Sequence, residues 1–327
     1  MTAPSGGIPT IGAEWLRQHV SFEDLIEPVS RAFQEFSAGL AESGVLSLFP
    51  AATPEAGDVL VKTGAIRGHS VYVIKVSPWF AVNVERNQPQ GGFIGVFDAE
   101  TGQTRAILNE EHYLSDIRTA AAGTLAARVL APPVVEVAGV LGAGVQAYWQ
   151  PQALYRARPF KTLLIWARDA GKAEALQARL GEKLVGVEIR VTLSAEEVVR
   201  ACDVLLTTTQ AKEPIVRGAW LRPGQHITAI GADDVTKSEL DAACLQRADR
   251  LIVDSLELAK QQGEVHRWLE RGDIALEQVH GELGQVLAGT VAGRRTASEI
   301  TVAKLVGLGV QDLVAAEVAL DKLTSTS

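Results

Sequence analysis

A glycine-rich hexapeptide is the segment of this sequence with the clearest chemical meaning. It reads Gly142-Ala143-Gly144-Val145-Gln146-Ala147 and follows a short apolar run at 135–141. In such a loop the first glycine permits a tight turn, the second lets the backbone approach a pyrophosphate, and the alanine allows close helix–strand packing. The amides that open the next helix attract the anion. Because the loop lies between a predicted strand and a predicted helix, it predicts a dinucleotide site.

The end of the next predicted strand bears on which dinucleotide binds. Ala167, Arg168 and Asp169 follow the run 162–166 and are expected near the adenosine ribose. An acidic residue at that tip would accept a hydrogen bond from the ribose 2′-hydroxyl. The tip residue is Ala167, however, and Asp169 lies one or two positions beyond the place where such an acid is expected. Arg168 can pair with a 2′-phosphate. We therefore expect NADP(H) to be favoured over NAD(H); the alternative is that Arg168 is an exposed loop arginine.

Three cations occur where cations are uncommon. Lys62 and Lys75 fall in otherwise apolar predicted strands at 59–63 and 70–76, and Arg118 falls in an alanine-rich helix predicted for 115–130. A lysine in a partly desolvated pocket can exchange protons near neutrality, and a guanidinium holds a carboxylate through two parallel hydrogen bonds. If the two strands form a hairpin, both lysines can face one pocket. The alternatives are an edge-strand Lys75, a surface Lys62 and a helix-end ion pair of Arg118 with Asp116.

Asp233 is a candidate acid or base. It follows an apolar run at 226–230, so it is expected at the carboxyl end of a strand, where ligands bind in open α/β sheets. Asp234 is adjacent and competes for the same role. The alternative is that the aspartate caps the next helix.

Two different patterns surround these residues. From about residue 135, short apolar runs alternate with helix-like segments, which is typical of a parallel sheet covered on both faces. The first 115 residues predict a helix at 21–40, capped by Ser21, followed by a mostly antiparallel sheet. The alanine-rich helix ends at Ala131-Pro132-Pro133, which indicates a domain boundary. The segment 298–320 is predicted to be helical, with Ser298 as its N-cap.

Composition excludes several classes of protein. The 327 residues carry a net charge of −8, which argues against a nucleic-acid partner. No apolar run is long enough for a membrane span, and the start lacks the pattern of a signal peptide. Cys202 and Cys244 are expected to be buried thiols, and the six histidines show no metal-ligand spacing. We expect a cytoplasmic protein without a catalytic metal.

Several segments in combination carry a family resemblance. The hexapeptide 142–147, with Arg118-Thr119-Ala120-Ala121, Ile230-Gly231-Ala232-Asp233, Gln262-Gly263-Glu264 and Glu299-Ile300-Thr301, resembles the ornithine cyclodeaminase/μ-crystallin family over residues 20–320. The resemblance implies an α/β fold with two domains. One is a Rossmann domain with a doubly wound parallel sheet at 131–295. The other is a discontinuous α+β domain at 1–130 and 296–327, which binds substrate and forms the interface of a homodimer.

The resemblance also implies roles for the candidate residues. Arg118 would hold the substrate carboxylate, Lys75 would lie beside the substrate, and Asp233 would donate or accept a proton. Either Lys75 or Asp233 could transfer the proton. The expected cofactor contacts are the loop 142–147, the residues 167–169, Thr119, Thr207, Thr208, Gly231 and Asp233.

The implied activity is NAD(P)H-dependent reduction of a small anionic α-imino acid, or the reverse oxidative deamination. The alternatives are an NAD-dependent ornithine-type cyclodeaminase and a non-catalytic, crystallin-like NADPH-binding protein. Two positions depart from the family: Lys62 stands where many members carry an uncharged residue, and Ser47 stands where several carry an arginine. The additional cation at Lys62 suits a dicarboxylic substrate such as iminosuccinate. Because Ser47 replaces the arginine, the resemblance does not carry cyclodeaminase activity over directly to this chain.

Overall fold

The computed structural model describes residues 7–53, 56–86 and 88–326. In these ranges the strands are β1 (Thr10–Gly12), β2 (Ala41–Leu48), β3 (Gly57–Ile66), β4 (Val71–Phe80), β5 (Phe93–Asp98), β6 (Thr104–Asn109), β7 (Val137–Leu141), β8 (Thr162–Trp166), β9 (Glu188–Val191), β10 (Val204–Thr207), β11 (His226–Ala229), β12 (Arg250–Val253), β13 (Gly281–Glu282) and β14 (Thr301–Lys304). The helices are α1 (Ala13–His19), α2 (Phe22–Ser37), α3 (Ala81–Glu85), α4 (Tyr113–Leu130), α5 (Val145–Ala157), α6 (Ala170–Gly181), α7 (Ala195–Ala201), α8 (Ala242–Gln246), α9 (Leu256–Ala259), α10 (Gly263–Glu270), α11 (Leu283–Leu287) and α12 (Gly309–Thr326).

The smaller unit comprises the described residues up to Arg118 and those from Leu308 onward. Its sheet has the order β1-β6-β5-β4-β3-β2, antiparallel except for the β1–β6 pair. Helix α2 begins as predicted, because the Ser21 hydroxyl accepts the Asp24 amide and the Asp24 carboxylate accepts the Ser21 amide. Its apolar face, which includes Leu25, Val29 and Phe33, is buried.

The larger unit runs from Thr119 to Gly307. Its eight strands have the order β13-β12-β14-β11-β10-β7-β8-β9, and every pairing is parallel. The order reverses at β7, so a crevice forms where the loops after β7 and β10 diverge. This arrangement confirms the predicted Rossmann-type fold.

Both faces of this sheet are buried. In β10, Leu205 packs into one hydrophobic cluster, whereas Val204 and Leu206 pack into another on the opposite side. Alternate residues of a strand point to opposite faces, so the continuous apolar runs in the sequence correspond to two separate cores.

The prediction for the last segment is wrong in part. Residues 298–320 were expected to form one helix capped by Ser298, but Thr301–Lys304 form the buried strand β14, between β11 and β12. Helix α12 starts only at Gly309. A short apolar run that is buried on both sides has the same pattern in a strand as in a helix, and the β-branched Ile300, Thr301 and Val302 favour the strand.

The compact units divide the chain at Arg118 and at Leu308, not at 130 and 296. The second half of α4 belongs to the larger unit because Ala127 packs into one of its two cores. Strand β14 belongs there because it completes the parallel sheet.

In the part of the chain that the structure describes, no helix combines the length and the apolar character that a membrane span requires. Residues 1–6, part of the segment judged to lack a signal-peptide pattern, lie outside the described residues.

Candidate active site

The glycine-rich loop has the backbone that its sequence predicts. Gly142 has a φ of 122°, a value that side chains disfavour, and its amide donates to the Trp166 carbonyl at 2.8 Å. Gly144 is the N-cap of α5, and a Cβ placed on it would meet no atom within 4 Å. Ala147 is buried in the core behind the loop. The open space at Gly144 and the helix start beside it fit a pyrophosphate group.

The tip of β8 exposes Arg168, whereas Ala167 is half-buried. The Asp169 carboxylate accepts the Lys172 amide at 3.1 Å and so caps α6. A carboxylate engaged in this way is less available to a ribose hydroxyl.

The remaining predicted cofactor residues have different environments. The Thr208 hydroxyl donates to the Leu141 carbonyl at 3.0 Å, which ties the end of β10 to the end of β7. Thr207 is buried, and its hydroxyl donates at 2.8 Å to Glu239, a residue that the sequence did not single out. The Gly231 amide donates to the same carboxylate at 2.9 Å. The Thr119 carbonyl, in α4, accepts the Gln150 side chain at 3.0 Å.

The two adjacent aspartates differ in what they bind. Asp234 Oδ1 accepts the Thr236 amide and hydroxyl and the Lys237 amide, so it organises the turn. Both aspartates pair with Lys237, Asp233 at 2.7 Å and Asp234 at 2.9 Å, and 36% of the Asp233 side chain is exposed. Neither aspartate caps a helix, because the N-cap of the next helix, α8, is Asp241.

In the smaller unit the two lysines share one face of a hairpin. Strands β3 and β4 are antiparallel, and Lys62 and Lys75 are register partners. Side chains of directly opposite residues lie on the same face. Lys62 is only 6% exposed and Lys75 only 2% exposed. The hairpin is confirmed, and Lys62 is not a surface lysine.

Asp312, in the first turn of α12, joins these cations. Its Oδ1 accepts Lys75 Nζ at 2.9 Å and Arg118 Nε at 3.1 Å, and the Gln311 amide oxygen accepts Arg118 Nη1 at 3.3 Å. Burial by itself raises the pKa of Asp312, but Lys75, Arg118 and Lys62 outweigh it and hold the pKa below its usual value. Arg118 therefore forms a buried ion pair with Asp312.

Close backbone packing explains how Asp312 reaches the hairpin. A Cβ placed on Gly64 would lie 2.3 Å from the Gly309 carbonyl oxygen, and one placed on Gly309 would lie 2.0 Å from the Thr63 oxygen. The Gly309 amide also donates to the Ser43 hydroxyl at 2.7 Å. The two glycines thus let the start of α12 touch β3, which brings Asp312 to Lys75.

A strained turn supplies a second carboxylate. Lys75 Nζ donates to Ser115 Oγ at 2.9 Å, and Ser115 Oγ donates to Glu110 Oε1 at 2.8 Å. Glu111 and His112, between them, have φ values of 48° and 65°, which are costly for residues with a Cβ. Burial lowers the pKa of His112, against an opposing effect of Glu110, so its imidazole is neutral at pH 7.

The sequence reasoning missed Asp312, Ser115 and Glu110. One signal was available for Asp312: buried cations require a counter-ion, and Asp312 is the only acidic residue in the run 300–316. Among the described residues, no group of three or more His, Cys, Asp or Glu side chains is arranged to hold a metal ion.

A family model and a curated relative each match most of the chain. The model of the ornithine cyclodeaminase/mu-crystallin family matches residues 13–327. A putative dehydrogenase of Rhizobium meliloti is 40% identical over 264 residues, which is 80% of each chain.

Two solved structures are similar over almost the whole chain. Delta(1)-pyrroline-2-carboxylate reductase of Thermococcus litoralis, in complex with NADH and L-proline, has a TM-score of 0.90 at 28% identity and covers 98% of each chain. The iminosuccinate reductase of Paracoccus denitrificans, in complex with NAD⁺, has a TM-score of 0.87 at 25% identity, covering 98% of this chain and 97% of the other. The predicted enzyme class, an NAD(P)-dependent oxidoreductase of imines or amino acids, is confirmed.

Proposed function

The chain belongs to the ornithine cyclodeaminase/mu-crystallin family, and from this premise we propose that it reduces a small anionic α-imino acid to the amino acid. The observation that carries the proposal is the buried cluster of Lys62, Lys75 and Arg118 around Asp312. A dinucleotide-binding unit in the same chain provides for the redox partner. The two solved structures named above are of a pyrroline-2-carboxylate reductase and an iminosuccinate reductase, which supports the proposal.

Each cation has a distinct part in this proposal. Arg118 holds the α-carboxylate, because its planar guanidinium fixes orientation as well as charge. Asp312 and Gln311 orient that guanidinium through Nε and Nη1. Lys75 is held by Ser115 and Asp312 and donates a hydrogen bond or a proton to the substrate. Asp233 is the second candidate for proton transfer.

The larger unit binds the dinucleotide in this proposal. The amides of the loop 142–147 and the start of α5 receive the pyrophosphate. Thr208 and Gly231 contribute through the ends of β10 and β11, and Thr119 through α4. When bound, the nicotinamide supplies the hydride that turns a C=N bond into CH–NH. Thr207 acts indirectly, because its hydroxyl is engaged with Glu239.

The charge of the cluster argues against an ornithine-type cyclodeaminase. Such an enzyme binds a diamine whose distal nitrogen is an ammonium ion. Lys62, Lys75 and Arg118 are all buried, and all three lie close enough to Asp312 to lower its pKa. A second positive group on the ligand would be repelled in this low-dielectric setting.

A substrate screen tests the proposal. Purified protein is mixed with a series of 2-oxo acids plus ammonia or methylamine, or with cyclic imino acids, and the loss of NADH or NADPH absorbance is followed. We expect imine-dependent oxidation of the reduced cofactor with at least one small acid. Absence of turnover throughout, with cofactor binding intact, would favour the non-catalytic alternative.

We further propose that Lys62 receives a second carboxylate, as in iminosuccinate. Exchange of Lys62 for methionine should lower kcat/KM for dicarboxylic imines by about tenfold to a hundredfold, because a buried charge pair is lost. Monocarboxylic imines should change by less than about threefold. Steady-state kinetics with iminosuccinate and with the imine of pyruvate measures the ratio. An unchanged preference would reject the role of Lys62.

Cofactor preference gives another prediction. We propose that Arg168 pairs with the 2′-phosphate of NADP(H), supported by its exposure and by the capping role of Asp169. Arg168→Ala should weaken NADPH binding by about fivefold and leave NADH binding unchanged, as expected for a partly solvated ion pair. Fluorescence titration measures both affinities. Arg190→Ala, which removes another exposed arginine of the same unit, is the control; an equal effect on both cofactors in R168A would contradict the assignment.

We propose that the smaller unit forms a homodimer and binds the substrate. Its edge strand β2 exposes Leu46 and Leu48, and Phe49 follows with 59% of its surface exposed. An exposed apolar edge strand pairs readily with a second chain. Sedimentation equilibrium of the wild type tests this, with a monomer as the contrary result.

A further inference from the structure

Glu239 is a fully buried carboxylate outside the roles described so far. Its Oε1 accepts the Thr209 amide and the Thr209 hydroxyl, the latter at 2.8 Å. Its Oε2 accepts the Thr207 hydroxyl at 2.8 Å and the Gly231 amide at 2.9 Å. One side chain therefore ties together the segments that leave the carboxyl ends of β10 and β11. Those segments lead to Thr208 and to Asp233.

The contact with Gly231 is too close for any other residue. A Cβ placed on Gly231 would lie 2.1 Å from the Thr209 carbonyl oxygen and 2.7 Å from the Glu239 carboxyl carbon. The glycine that precedes Ala232 and Asp233 thus allows the two segments to meet over this carboxylate. Glu239 thus contacts both segments at once.

Two buried residues, Glu264 and Lys304, hold Glu239 in place. The Glu264 carboxylate, in Gln262-Gly263-Glu264, accepts the Glu239 amide at 2.9 Å. Lys304, in β14, makes an ion pair with Glu264 at 2.8 Å, and both side chains are buried. The backbone of Glu239 is therefore fixed from one side while its carboxylate fixes the strand ends on the other.

We propose that Glu239 is the positioning residue that sets the cofactor-binding ends of β10 and β11, with Glu264 and Lys304 as its support. This inference rests on the proposed function, since it concerns binding of the same dinucleotide. Glu239 itself contacts neither ligand in this account. Its effect passes through the backbone at Thr209 and Gly231.

Glutamine at position 239 cannot reproduce the bonding. The carboxylate accepts four hydrogen bonds, two on each oxygen, whereas an amide has one oxygen and one NH₂ donor. A threonine hydroxyl can turn and accept, but the amides of Thr209 and Gly231 can only donate. In either orientation of the glutamine amide, one of these two backbone N–H groups loses its acceptor and faces a donor.

The test compares Glu239→Gln with Glu299→Gln by titrating NADPH and NADH. Glu299 is a matched control, because it is also buried, accepts the Arg295 amide at 2.6 Å, and precedes β14, so it lies at the amino end of a strand and not at a carboxyl end. Both variants should lower the melting temperature. Only E239Q should raise the cofactor dissociation constant, by about tenfold, while KM for the imine stays within about twofold.

Every outcome bears on the inference. A dissociation constant of E239Q within twofold of the wild type, or an equal rise in E299Q, would overturn it. If E239Q does not fold, Thr209→Val removes a single donor to the carboxylate, and its dissociation constant should rise about threefold; no rise would overturn the inference. A wild type that binds neither dinucleotide would overturn the proposed function and this inference with it.

Discussion

Replacing Asp312 with asparagine should destabilise the protein by about 3–5 kcal/mol, the range measured when one partner of a buried ion pair is removed. Asp312 is fully buried, and its Oδ1 accepts both Lys75 and Arg118. Asparagine is nearly isosteric but carries no charge, so both cations would remain buried without their counter-ion. Urea unfolding of the wild type and D312N, followed by far-UV circular dichroism, measures the difference.

The loss of stability in D312N should depend on pH. The pKa of Asp312 lies below its usual value in the folded protein, so its contribution to stability is present above about pH 4 and is lost as the pH falls through the folded pKa. The gap between wild type and D312N should therefore narrow in acid. Glu317→Gln is the control on the same helix, since that half-buried group pairs with His69 at 2.9 Å. Glu317→Gln should lower the free energy of unfolding by about 1 kcal/mol or less. If D312N lowered the free energy of unfolding as little as E317Q does, the cluster would not depend on Asp312.

Exchange of Arg118 for lysine should lower kcat/KM for imines by about a hundredfold. Lysine keeps the charge but cannot hold a carboxylate through two parallel bonds, nor bond Asp312 and Gln311 at fixed angles. The loss corresponds to about 2.7 kcal/mol of transition-state binding. Steady-state kinetics with saturating NADPH measures it.

The affinity for NADPH is the internal control for R118K. Arg118 contacts Asp312 and Gln311, both in the smaller unit, so the dissociation constant of NADPH should stay within about twofold of the wild type. A change in kcat/KM of less than about threefold would remove Arg118 from the substrate site. A large loss of NADPH affinity would assign it to a different role.

Local signals in the sequence predicted much of the fold. Ser21 predicted the start of α2, because an N-cap depends only on neighbouring residues. The alternation of apolar runs predicted the parallel sheet. Strand β14 escaped prediction because its place depends on β11 and β12, which precede it by up to 75 residues. Only the folded sheet shows that its apolar residues belong to a strand.

Some contacts of the candidate site could likewise be predicted from the sequence, whereas others could not. Lys62 and Lys75 could be paired from the sequence because a hairpin has a fixed register. Asp312 could not be paired with Lys75, because 237 residues separate them and the contact depends on two glycines that let α12 approach β3. Glu239 was hidden for a similar reason: its partners come from several segments that are distant in the chain.

The most direct test of the central claim is the stoichiometry of the reaction. The protein is incubated with a limiting amount of a cyclic or linear α-imino acid and excess NADPH or NADH, and both the cofactor oxidised and the amino acid formed are counted. We expect one reduced cofactor to be consumed for each amino acid produced. In a parallel incubation with ornithine in place of the imino acid, conversion of ornithine with release of ammonia and no net change in cofactor absorbance would contradict it.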